Sequence, residues 1–224
     1  VELNNNTGTA ATGAPALRGP GPNFTGLNGA GVLVADVDTG VDYNHGDFLD
    51  PLGNTRFVSV WDQTVAGGAP AGYPYGTEWL PAQLNANTAT EVDVNGHGTH
   101  VLGTIAGDGS QTGGAIPAFT YTGMAPAADL IMVKTDLTTT HILDGVAYVF
   151  GKATALGKNA VVNLSLGSQY GPHDGTSAFE SGLTALTGPG RIICVSAGND
   201  GGSSKHAEAF AAGTGTNITM TAAG

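Results

Sequence analysis

With a single cysteine, Cys194, among its 224 residues, the chain can form no internal disulfide. Packing, hydrogen bonds or bound ions must hold it together. The neighbours Ile192, Ile193 and Val195 mark a buried strand, where a thiol serves as a small apolar side chain. Cationic side chains are also scarce: seven Lys and Arg face eighteen Asp and Glu. The formal net charge of −11 argues against nucleic acid and anionic membranes as partners and leaves a polypeptide open. No run approaches the roughly 18 apolar residues of a membrane span, and Val1-Glu2-Leu3-Asn4 lacks the basic and apolar regions of a signal peptide. Together with 37 glycines and many Thr and Asn, these absences read as mature, secreted protein. What is present, 41% hydrophobic residues including two Trp and seven Phe, suffices for one large domain with a real core.

Residues 1–31, rich in Asn, Thr, Gly and Pro and without period 2 or 3.6, read as an extended arm on the surface of a domain spanning 32–224. Val32-Leu33-Val34-Ala35 then leads into Asp36-Val37-Asp38 and closes on Thr39-Gly40, the pattern of a buried strand ending in a functional loop. Similar runs recur at 56–61, 130–133, 161–166 and 191–196. Between the last three lie helical patterns. His141 to Leu156 carries Ile142, Val146, Val149 and Ala153 at helical spacing, with Thr140 as N-cap and Gly157 as the stop. Ser177 and Glu180 form a Ser-x-x-Glu capping box before Leu183 and Leu186. Strands alternating with helices of this length imply βαβ crossovers, an α/β fold with a mainly parallel sheet covered on both faces. In such a sheet the active site lies at the carboxyl ends of the strands. The Gly- and Pro-rich stretches 63–81 and 107–118 read as surface insertions.

Asp38 is delivered by its strand to that edge, and Gly40 permits the turn that follows. Asp36, two residues earlier, shares its strand face and needs partners or a raised pKa if buried. His97 follows Asn95-Gly96 and opens a helical run, with Gly98 and Gly103 allowing close approach to neighbours. A carboxylate that orients imidazole Nδ1–H leaves Nε2 to act as a general base. A zinc reading of His97 and His100 is weak, since no Glu stands between them and no Cys cluster exists. His45, His141, His173 and His206 are scattered and read as structural or solvated. Asn199, closing Ser196-Ala197-Gly198-Asn199, places an amide at a strand end, where it can donate to a developing oxyanion or simply turn the chain. A nucleotide-binding reading of Gly26-x-x-Gly29-x-Gly31 is also weak, because a phosphate loop follows its strand and opens a helix.

Val34 to Asp42, Asn95 to Ala106 and Val162 to Asn199 together resemble the subtilase, or subtilisin-like serine protease, family. Asp-Thr-Gly, His-Gly-Thr-His-Val, Ser165-Leu166-Gly167 and Ala197-Gly198-Asn199 occur in that family's order. The resemblance implies a doubly wound subtilisin-like sheet. It implies that Asp38 orients the base, His97 is the base and Asn199 helps form the oxyanion hole. Ser165, Leu166, Gly167, Ala197 and Gly198 would border the pocket for the substrate's P1 side chain. No cofactor is required; Asp47, in a His45-Gly46-Asp47 version of the family's His-Pro-Asp segment, is a weak calcium candidate because its usual partner loop is not recognisable. Residues 57–64 and 75–79 look like the bacterial subgroup that includes the clostridial spore-germination proteases. Members of that subgroup carry an inserted β domain, which the strand-like Asn217 to Thr221 would begin. The family's nucleophile sits in Gly-Thr-Ser-Met-Ala-x-Pro. Gly175-Thr176-Ser177-Ala178 imitates its start but continues as Phe179-Glu180, precedes Asn199 and fits the capping box instead. The expectation is therefore a serine endopeptidase whose nucleophile lies beyond Gly224, on the C-terminal remainder of the same peptidase. This chain alone would be inactive. The alternative is a non-catalytic subtilase-fold binding protein.

Overall fold

The computed structural model describes residues 5–168, 171–172, 174–200 and 202. The strand expected at 217–221, His173 and His206 lie outside the described residues. Six strands form one sheet: β1 (Leu33–Asp38), β2 (Phe57–Asp62), β3 (Thr77–Trp79), β4 (Asp129–Lys134), β5 (Ala160–Leu164) and β6 (Arg191–Val195). Their order is β3-β2-β4-β1-β5-β6. Every neighbouring pair is parallel except the short edge pair β2–β3. The fold is thus α/β with a mainly parallel sheet.

Two cores sandwich the sheet because its strands are apolar on both faces. On one face Leu33, Ala35 and Val37 of β1 meet Ile142, Val146, Val149 and Ala153 of α5 (Thr139–Leu156), with Phe179, Leu183 and Leu186 of α6 (Ala178–Leu186) packed alongside. On the other, Leu130 and Met132 of β4 meet Leu102 and Ala106 of α4 (His97–Ala106) and Leu84 of α3 (Pro81–Asn85). The chain leaves β4 through α5 and re-enters the sheet at β5, stepping over β1. This puts the carboxyl end of β1, and so Asp38, at the crevice where such sheets hold their sites.

Several local details differ from the sequence reading. Residues 1–31 contain α1 (Asn5–Ala11) and α2 (Ala14–Arg18) instead of an uninterrupted extended arm. Pro15 sits in the first turn of α2, where its missing N–H costs nothing. The cap of α5 is Thr138, not Thr140: its hydroxyl accepts the His141 N–H, while Asp136 Oδ1 holds the Thr138 N–H and hydroxyl. The stretch 63–81 contributes β3 to the sheet. Cys194 is exposed. Within the sheet, among the described residues, β6 pairs with β5, and on it Ile193 alone is partly covered.

Candidate active site

Asp38 is the last residue of β1 and is fully buried. His97 is the first residue of α4, with its side chain 46% exposed. The imidazole Nδ1 lies 2.7 Å from Asp38 Oδ1 and 2.9 Å from Oδ2. Thr39 N–H adds a 2.6 Å bond to Oδ1. Gly98 permits this approach: a Cβ there would stand 2.2 Å from Gly40 O and 3.1 Å from Asp38 Cβ. Gly103, by contrast, has open space at its Cβ position and plays no such part.

Asp93, which belongs to none of the motifs above, welds the two segments together. Its Oδ1 accepts the Thr39 hydroxyl at 2.9 Å and the N–H groups of Asn95 and Gly96, and its Oδ2 accepts the Thr99 N–H at 2.9 Å and hydroxyl at 2.7 Å. Thr39 Oγ1 in turn accepts the Gly98 N–H, and Asp42 N–H reaches Thr99 Oγ1. Orphan donors at the start of α4 are thereby satisfied, and negative charge sits at the positive end of the helix. Burial works against the Asp93 charge, yet the bonds from Thr99, Gly96 and Thr39 outweigh it and hold the carboxyl below its usual range. The available signal was Asp-Val-Asn-Gly before the helix, an Asx-turn sequence.

Asp36 is also fully buried. Burial, reinforced by the neighbouring Asp38 and Asp93 charges, pushes its carboxyl well above the ordinary range despite the Asn163 bond. Asn163 Nδ2 links Asp36 Oδ1 to Ser165 Oγ, each at 2.9 Å. Ser165, Leu166 and Gly167 follow β5, and Ala197, Gly198 and Asn199 follow β6, on the same sheet edge as Asp38. Ser196 clips these loops together, with its N–H on Leu164 O and its hydroxyl on Leu166 O. A Cβ on Gly167 would lie 3.8 Å from Gly198 Cα, so the two loops adjoin, and Asn199 is exposed at their rim.

Ser177 caps α6: its hydroxyl accepts the Glu180 N–H and Glu180 Oε2 accepts the Ser177 N–H, both at 3.2 Å. Asp47 Oδ1 accepts the Gln111 N–H at 2.7 Å and the Ser110 hydroxyl, and its carbonyl receives Arg56 Nη1 and the Asp108 N–H. Among the described residues no three acidic, His or Cys side chains gather to hold a metal ion.

Residues 29–224 match the model of the Subtilase family. The chain belongs to the subtilase family. This subtilase is 30% identical over 213 residues to Subtilisin BL of Lederbergia lenta, covering 90% of the chain and 62% of that protein. It is 28% identical over 197 residues to Subtilisin E of Bacillus subtilis, covering 85% of the chain and 40% of the relative. Among solved structures it is similar to the Clostridium perfringens CspB protease, with a TM-score of 0.67 and 31% identity over 79% of this chain and 37% of that one. Sphericase gives a TM-score of 0.55 and 26% identity over 84% and 53% of the respective chains. The subtilase chain thus spans between about one third and two thirds of these proteins. No helix among its described residues is long and apolar enough to cross a membrane.

Proposed function

We propose that this chain supplies the base half of a secreted serine endopeptidase. One observation carries the reading: the buried Asp38 carboxylate grips His97 Nδ1 through both oxygens at the carboxyl end of β1. With Nδ1–H fixed there, the lone pair of Nε2 faces outward to take a proton from a serine hydroxyl and later return it to the leaving amine. The Asn199 amide would donate to the oxyanion of the tetrahedral intermediate. The adjoining loops at 165–167 and 197–198 would receive the P1 side chain of a polypeptide substrate. Ser177 is committed to its helix cap, so the reading places the nucleophile after residue 224, on the remainder of the same peptidase.

A fluorophosphonate probe with peptide mapping tests this on the whole protein. The expected result is one labelled serine C-terminal to Gly224, with labelling slowed by about 10²–10⁴-fold in His97→Ala, as for loss of a general base. A protein inert to the probe and without peptidase activity would overturn the reading in favour of a non-catalytic subtilase-fold binding protein.

A further inference from the structure

Glu91 lies directly beneath the turn that carries Asp38 and is only 3% exposed. Its Oε1 accepts the Val41 N–H at 3.2 Å. A Cβ on Gly40 would stand 2.3 Å from that same oxygen, so the carboxyl packs against the turn backbone itself. The next layer is Gly98, pressed on Gly40 O and followed by the rest of the helix that begins with His97. Oε2 is buried with no hydrogen-bond partner. The mechanism above makes no use of this group, and a buried carboxyl with an unsatisfied oxygen is costly to keep without a role.

The surrounding charges are few and identifiable. Lys134, from the end of β4, holds Nζ 3.8 Å from Glu91 Oε1 and 3.8 Å from Asp62 Oδ2 at the end of β2, while donating to Val92 O. Asp93 faces Glu91 from the turn before α4. Asp38 ends β1 opposite Lys134 in the strand register, and Asp42 and Tyr43 line the cavity of about 430 Å³ that Glu91 and Asp93 also border.

We propose that Glu91 is a positioning residue for the Asp38–His97 pair, holding the Gly40–Val41 turn through the Val41 N–H with a strength set by its own ionisation. The proposal rests on the reading of Asp38 and His97 as the base. Ionised, Glu91 gives Val41 a charged acceptor and draws Lys134; protonated, it gives only a neutral one, roughly half as strong. Burial, partly offset by the Val41 bond and Lys134 and reinforced by Asp62 and Asp93, pushes the carboxyl up to about 7.

The test is the Val41 amide proton, followed by NMR from pH 5 to 9 in the protein, with kinetics in parallel. The Val41 resonance should titrate with a midpoint about 7 and lose that titration in Glu91→Gln, which retains an acceptor but cannot ionise. Lys134→Met, removing the cation that favours the charged form, should raise the midpoint. It serves also should Glu91→Gln not fold. Glu91→Ala should lower kcat by about tenfold with KM nearly unchanged, because a misplaced base slows chemistry without removing a substrate contact. A Val41 amide that is indifferent to pH, or that titrates identically in Glu91→Gln, overturns the proposal while loss of probe labelling in His97→Ala leaves the base reading standing. Full labelling in His97→Ala would remove that reading, and this proposal with it.

Discussion

Asp93 and Glu91 are two residues apart, and their environments drive their carboxyls in opposite directions. Hydrogen bonds from Thr99, Gly96 and Thr39 outweigh burial at Asp93, so its folded-state pKa is depressed. Its contribution to stability is then present above the unfolded pKa, near 3.8, and lost as pH falls through the lower folded value. Asp93→Asn should cost about 1–3 kcal/mol at pH 6, because an amide nitrogen in place of Oδ2 cannot accept from the Thr99 N–H. The difference should shrink below pH 3.8, as denaturant unfolding of both proteins would show. Glu91 carries the other sign. Its folded pKa is raised from 4.5 to about 7, so its stabilising effect is complete below 4.5 and fades as pH rises through about 7. Relative to Glu91→Gln, the protein should lose about 3 kcal/mol of stability across that window. Unfolding free energies at pH 4.5, 6 and 7.5 measure it, and parallel curves for the two proteins would contradict the assignment.

Among elements, α6 gives Ser177 a structural role. Ser177 and Glu180 satisfy each other's backbone donors, as the Ser-x-x-Glu spacing implies. Ser177→Ala should therefore destabilise the protein by about 1 kcal/mol and leave fluorophosphonate labelling unchanged. Labelling that disappears with Ser177 would mean that the imitation motif is the true one. The same helix shows what kind of structure could be read in advance. The capping box, the Gly157 stop of α5 and the β1 run ending at Asp38-Thr39-Gly40 depend on residues within a turn of one another, so their pattern lies in the sequence. The α5 cap did not follow from spacing, because Thr138, Thr139 and Thr140 are chemically alike and Asp136 selects the first by holding its N–H and hydroxyl. Cys194 is exposed, because strand composition records apolarity and the cover over β6 depends on residues far away in the sequence. In the site, Asp38 and His97 were legible as motifs, and Asp93 as a turn aspartate at most. Glu91 meets Lys134 across 42 intervening residues and Asp62 joins them through the sheet, a contact set by register alone.

At the scale of the whole chain, the charge that argues against nucleic acid would, on the proposed peptidase reading, also bear on the substrate. The chain carries a formal net charge of −11. Asp42, Asp93 and Asp136 stand on the loops at the sheet's carboxyl edge, where Asp38 and His97 sit, while Lys134 is engaged with Glu91 and Asp62. A negative field at that edge would raise the encounter rate of cationic partners and lower that of anionic ones. Because this is a field and not a contact, it must fade as the screening length falls from about 30 Å at about 0.01 M salt to about 3 Å at about 1 M. Two peptides identical at the scissile bond, one flanked by Lys and one by Glu, separate this effect from pocket specificity. At low salt the Lys-flanked peptide should have a kcat/KM higher by about tenfold, within the span that steering produces. Added salt should bring the two values together, with kcat unchanged for both. If the preference survived high salt it would have to come from direct contacts in the cleft, and if both peptides responded to salt alike the field would not reach the site.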